Sequence, residues 1–199
     1  MEKRKILTRI GNAMKQLEEE ITKILNKRKI EYIENHKLIP SAVLIPMFKD
    51  RDAYSLLFTK RPRTMKRHAG QISFPGGVYE KNDRDAQTTA IRETCEELGL
   101  NQKNIKILGR LDDLSIRTGY LVTPFVGLIY PLNNMNVNKN EIEEIITIPI
   151  TDLMNTSPRI KIRESIHPTY YYDYRNHVIW GATARILKNF LEILKMDMV

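Results

Sequence analysis

A single cysteine, Cys95, excludes an intramolecular disulfide and a cysteine zinc cluster, so nothing in the sequence asks for an oxidising compartment. Long apolar runs are lacking as well: the least polar stretch, 119–132, is too short for a bilayer crossing and is interrupted by Pro124 and Gly127. The opening segment MEKRKILTRIGNAMKQ has no continuous apolar run of the kind a secretion signal uses. No internal repeat is found, and no stretch rich in Gly, Ser or Pro divides the chain. These absences set the expectation of a cytoplasmic protein with no membrane partner. A length of 199 residues suits one domain with a full core. Residues 1–37 read as an amphipathic helix and lead-in, and 38–199 as the domain proper.

Charge of one sign is in excess, with 32 Lys and Arg against 24 Asp and Glu and a net charge of +8. The first 40 residues hold ten basic and six acidic side chains, whereas residues 59–70 hold Lys60, Arg61, Arg63, Lys66 and Arg67 with no acid. That local cluster suits the phosphates of nucleic acid or of a small ligand, or it is a solvated loop. No recognisable nucleic-acid-binding motif accompanies it, so a nucleic-acid partner is disfavoured.

Apolar residues at steps of three and four (Ile6, Ile10, Met14, Leu17, Ile21, Leu25) predict an amphipathic N-terminal helix, open to docking on the domain or to supporting a homodimer. Strands are expected at 41–48, 54–59, 105–112, 120–130 (broken near Pro124) and 145–150. A hairpin at 170–174 and 177–180 turns at Arg175-Asn176 and leads into a closing helix. Between the strands, 86–98 has no Gly or Pro, Asp83 or Asp85 can cap its start, and Gly99 sits where a left-handed terminator belongs. Strands flanking a mid-chain helix, plus a closing helix, predict an α/β fold with a mixed sheet covered on both faces.

At about 100° per residue, Glu93, Glu96 and Glu97 share an arc roughly 100° wide on that mid-chain helix, opposite Ile91, Thr94, Cys95 and Leu98. The single cation in helical reach is Arg92, so a hard divalent cation, Mg²⁺ or Mn²⁺, would relieve the repulsion among three carboxylates. An acidic solvated face is the plainer alternative. Ahead of the helix, Phe74-Pro75-Gly76-Gly77 provides two residues whose backbone can approach a metal or phosphate without a Cβ in the way.

Gly77 followed by Arg92-Glu93-Thr94-Cys95-Glu96-Glu97-Leu98-Gly99-Leu100 resembles the signature of the Nudix hydrolase family. The interval from Gly77 to Arg92 is one position longer than the general form, and Asp83 stands where its first Glu would be. The segment Leu56-Leu57-Phe58-Thr59-Lys60-Arg61, then Lys66-Arg67-His68-Ala69-Gly70-Gln71-Ile72-Ser73-Phe74-Pro75-Gly76-Gly77, is similar to the motif of the coenzyme A pyrophosphatase branch, with Pro62 and Lys66 departing from it. Further similarity extends the match over about residues 38–195.

The resemblance implies a Nudix-type α/β/α sandwich around a mixed β-sheet, here with an extra N-terminal helix. It implies a metal-dependent hydrolase that cuts the pyrophosphate of coenzyme A or its thioesters into 4′-phosphopantetheine and adenosine 3′,5′-bisphosphate. Glu93, Glu97 and Glu96, with the Gly77 carbonyl, become the metal contacts, and Arg92 orients the glutamates. Glu141 or Glu144 is the candidate general base, and the choice between them is open. Arg61, Arg63, Lys66, Arg67 and His68, with Gly76 and Gly77, become the substrate contacts. ADP-ribose, a dinucleotide or capped RNA is the alternative substrate, and a basic nucleic-acid-binding module the alternative outside the enzyme class. Tyr170, Tyr171, Tyr172 and Trp180 are read as hairpin packing with stacking on adenine as the second use, and Cys95 as a packing residue.

Overall fold

Strand β1 (Ile39–Asp50) is apolar at nearly every position because its two faces meet two different cores. Ala42, Leu44 and Phe48 face one, while Ile45 and Met47 face the other. The structure, a computed structural model, describes residues 2–50, 53–65, 68–132, 135–161 and 168–197, with side chains from 15 to 196. Around β1 lie β2 (Ala53–Lys60), β3 (Ile72–Ser73), β4 (Gly76–Val78), β5 (Ile105–Arg110), β6 (Leu114–Ser115), β7 (Tyr120–Ile129) and β8 (Glu144–Pro149). The sheet runs β3-β2-β1-β7-β5, with β4 on β1, β6 on β7 and β8 on β2. It is mixed: β1 and β7 are parallel and the other pairs antiparallel.

Helix α2 (Ala86–Leu98) covers one face through Ala90 and Leu98. Helix α1 (Glu2–Lys27) and the closing helix α4 (Gly181–Asp197) cover the other, where Ile21, Leu25, Leu187, Phe190 and Leu194 are buried together. This is the α/β/α sandwich expected. The short helix α3 (Ile150–Asn155) follows β8, and a second sheet, β9 (Arg159–Lys161), β10 (Thr169–Tyr174) and β11 (His177–Trp180), packs beside α4. Its hairpin turns where expected, with Arg175 at φ 50. No described helix is long and apolar enough to cross a membrane.

The expected break at Pro124 does not occur, and β7 is continuous. Leu111 donates to the Pro124 carbonyl at 2.9 Å, so the missing N–H of Pro124 points to the same side, toward β5 and β6. Leu111, opposite it, makes one of the two bonds of an antiparallel pair, and its carbonyl accepts from Arg110 Nε at 3.3 Å in place of the missing donor, so the strand runs on one backbone bond short. The expected strand 105–112 ends at Arg110, because Asp112 and Asp113 turn to bind the lead-in after α1. Asp112 accepts from Arg28 at 2.7 Å and from the Glu31 N–H at 3.0 Å, and Asp113 accepts from the Ile33 N–H at 3.2 Å and from Thr123 at 2.8 Å. The C-terminal part of α1 thus docks on β5, where Leu25 lies against Gly109.

Candidate active site

Helix α2 starts at Asp85, whose carboxylate accepts from the Thr88 N–H at 2.7 Å; of the two possible caps this is the one used. Asp83 has another role. It is 5% exposed and receives Arg92 at both oxygens, each at 3.0 Å, together with Thr89 Oγ1 and the Glu80 N–H at 2.9 Å. The Arg92 guanidinium, followed by these neutral donors, holds the Asp83 carboxyl down at about 2. Arg92 also reaches Glu93 at 3.0 Å, Glu96 at 3.2 Å and the Val78 carbonyl at 3.0 Å. One guanidinium therefore joins the loop before the helix to two of its three glutamates.

The carboxylate arc is not an evenly solvated face. Glu96 is 58% exposed in its side chain, Glu93 is mostly covered, and Glu97 is buried at 6%. Strand β4 causes the difference. Ala42 of β1 pairs with Gly77 and Val43 with Gly76, which lays the Gly pair directly under the helix. A Cβ on Gly77 would overlap the Glu93 carboxylate, and one on Gly76, at φ 153, would overlap the β1 backbone at Ala42 and Val43. Two residues without side chains let a helix carrying two acids sit close against a sheet.

Glu97 is the unbalanced group. Its Oε1 faces the Gly76 N–H in a long hydrogen bond of 3.5 Å, and its buried Oε2 has no partner. Burial pushes its carboxyl up to about 7, against the Gly76 bond and the nearby Arg61 charge, and Glu141 and Glu93 add to the rise. Burial raises Glu93 too, partly offset by Arg92. Among the described residues, no three His, Cys, Asp or Glu side chains converge as a ready-made metal cage, since Arg92 holds Glu93 and Glu96. The donor set nevertheless fits a hard divalent cation: carboxylate oxygens beside bare backbone, one of them buried and unsatisfied.

The other predicted residues divide into two groups. Glu141 lies near enough to raise both Glu93 and Glu97, and Asn138 donates to it at 3.0 Å while the Asn138 N–H caps the Glu97 carbonyl at 2.9 Å. Arg61 acts electrostatically on Glu97 from the end of β2. Glu144 is directed elsewhere: Lys60 donates to it at 2.8 Å and His177 lies 3.3 Å away, and the Lys60 bond holds its carboxyl below the usual range. Glu143 joins this cluster through Lys60 at 3.3 Å and the Arg63 N–H at 3.3 Å. His68 is exposed, at φ 57, with its Nδ1 2.6 Å from the Gln71 side-chain oxygen Oε1. Lys66 and Arg67 lie outside the described residues. Cys95 is half-buried against the α2 core, and burial raises its thiol. The Lys60–Glu144–His177 contact had no signal in the sequence, since 84 residues separate Lys60 from Glu144.

The family model described as NUDIX domain matches residues 37–170. The chain is 37% identical to the uncharacterized Nudix hydrolase NudL of Photorhabdus laumondii over 151 residues, 74% of this chain and 80% of that one. It is 35% identical to the protein of the same name from Pectobacterium atrosepticum, over 76% of this chain and 81% of that one. In fold it is similar to the NUDIX domain of Shewanella oneidensis NrtR, crystallised with ADP ribose, with a TM-score of 0.52, 10% identity, and coverage of 84% and 91% of the two chains. The chain belongs to the Nudix hydrolase family and is an enzyme of the pyrophosphohydrolase kind.

Proposed function

We propose that this enzyme hydrolyses the pyrophosphate bond of coenzyme A, releasing 4′-phosphopantetheine and adenosine 3′,5′-bisphosphate, with Mg²⁺ or Mn²⁺ as cofactor. The observation that supports it is the basic segment 60–67: it has the motif order of the coenzyme A branch, and it includes Arg61, whose charge acts on the buried Glu97. A substrate with a pyrophosphate and a separate 3′-phosphate presents more anionic groups than the metal site alone would neutralise, and Arg61, Arg63, Lys66 and Arg67 match that excess.

Glu93 and Glu97 would hold the cation, with Glu96 and the Gly77 carbonyl beside them. When bound, it supplies charge neutralisation for the pyrophosphate oxygens and lowers the pKa of a water molecule. Arg92, itself locked by Asp83, fixes the directions of Glu93 and Glu96. Glu141, rather than Glu144, is the proton acceptor in this reading, because its charge acts on Glu93 and Glu97 while Glu144 is held by Lys60 and His177. The water oxygen bonds to one phosphorus, the bridging oxygen leaves with the other, and the water proton passes to Glu141.

The test is a product assay of the purified protein with coenzyme A, ADP-ribose and NADH, each with Mg²⁺, with Mn²⁺ and with chelator. Metal-dependent release of 4′-phosphopantetheine from coenzyme A is expected. Metal-dependent cleavage of ADP-ribose or NADH but not coenzyme A would overturn the substrate assignment and leave the family intact.

A further inference from the structure

We propose that the outward face of the β9–β10–β11 sheet, centred on Trp180 and Tyr171, is where the adenine of the substrate's nucleotide half stacks; for its substrate the inference rests on the coenzyme A reading above. Register sets Arg159, Tyr171 and Trp180 in one row across the three strands. Their neighbours Tyr172 and Ile179 are buried in the core, so alternation turns this row away from it. Trp180 is 45% exposed, with exposed Val178 beside it on the same face. The Arg159 guanidinium stands 5.5 Å from the Tyr171 ring centre and is held by both oxygens of Asp173. An exposed indole beside a half-buried tyrosine whose ring carries a guanidinium suits a flat purine base far better than a flexible pantetheine arm.

An exposed tryptophan on a hairpin needs no explanation by itself. Its attachment to the basic segment gives it one. Gly181, next in the chain, lies against Gln71, and Thr183 donates to the Ile72 carbonyl at 3.2 Å. At the other end of β11, His177 meets Glu144, which binds Lys60. The strand carrying Trp180 is thus fastened at two points to the segment that leaves β2 at Lys60 and returns at Ile72. From Ile72 to Gly77 the chain spans at most about 18 Å even when fully extended. The face carrying Trp180 and the glycine pair are therefore joined by one short run of chain, and Arg61, whose N–H donates to the Gln71 carbonyl at 3.0 Å, lies beside the start of that run.

Trp180 is the chain's one tryptophan, so its emission reports directly on this face. The experiment titrates the full-length protein, with chelator, against adenosine 3′,5′-bisphosphate and separately against 4′-phosphopantetheine. Saturable quenching by the bisphosphate alone is expected; no response, or equal responses to both, would overturn the proposal. In parallel, Trp180→Ala should raise KM for coenzyme A about tenfold with a smaller fall in kcat, and Trp180→Phe should recover most of that loss. An unchanged KM in a Trp180→Ala protein with native circular dichroism would also overturn it. Quenching without coenzyme A hydrolysis would sustain the stacking face and reject the coenzyme A reading, whereas hydrolysis without quenching would do the reverse.

Discussion

Two clusters of acids meet the end of β2, one at Lys60 and one within reach of the Arg61 charge, and they differ in balance. Around Lys60, the carboxylates of Glu143 and Glu144 are shared with an ammonium, an imidazole and a backbone N–H. The Lys60 bond draws Glu144 below the usual carboxylate range, and Glu144 in turn raises Lys60. Around α2, Arg92 is claimed first by Asp83 and then divided among Glu93 and Glu96, leaving Glu97 buried with an unpaired oxygen and a carboxyl at about 7. A balanced cluster fastens elements together. A cluster with surplus buried negative charge carries a cost in the metal-free protein that a cation would relieve, and for that reason we propose it as the place of the reaction.

The comparison is broken most sharply at Glu97. Glu97→Gln should lower kcat by about a thousandfold, a loss of the size seen when one centre of transition-state charge stabilisation is removed. The same change should stabilise the chelated protein at pH 8. Because the folded carboxyl titrates near 7 against 4.5 in the unfolded chain, protonation favours folding, and that contribution disappears as pH rises from about 4.5 through 7. A thermal melt of wild type and variant at pH 5 and pH 8 checks it: the variant's advantage should appear only at the higher pH. Loss of stability at pH 8 would mean that Glu97 is paired after all.

Asp83→Asn probes the anchor of the same cluster. Removing the charge that holds Arg92 should cost about 3 kcal/mol of stability at neutral pH. The sign with pH is opposite to that of Glu97. The folded carboxyl is lowered to about 2 from 3.8, so its contribution is present above about 3.8 and is lost as pH falls through 2. Denaturant melts at pH 7 and near pH 2 should show the gap between variant and wild type closing in acid. In the balanced cluster, Glu144→Gln should change kcat by less than about threefold and stability by at most about 1 kcal/mol, since the pair is partly exposed. A hundredfold or greater fall in kcat would return Glu144 to the position of general base.

Much of the scaffold was legible from pattern alone. Helix α2 begins and ends where its cap and Gly99 place it, and the β10–β11 turn falls at Arg175-Asn176. Such features are governed by near neighbours. Strands β3, β4 and β6, two or three residues each, have no pattern long enough to read; they exist because a longer strand runs beside them. Pro124 misled for the same reason, since strands on both sides hold it in register and the Arg110 side chain takes the Leu111 carbonyl that its missing donor leaves free. In the site, the spacing of Glu93, Glu96 and Glu97 could be read as one arc. Their separation into an exposed, a covered and an orphaned carboxylate could not, because strand β4 and Asp83 produce it.

The sequence alone determined which side chains could do the chemistry: three glutamates on one helix, an arginine beside them, two glycines ahead of them and a basic run before those. Periodicity and spacing act over a few residues, and these features need no more. Only the tertiary structure decided which acid is left without a partner, which is bound away by Lys60 and His177, and which exposed ring is tied through its neighbours to Gln71 and Ile72. Burial and charge balance arise from residues scores of positions apart, and they exist only once the sheet has brought those residues together.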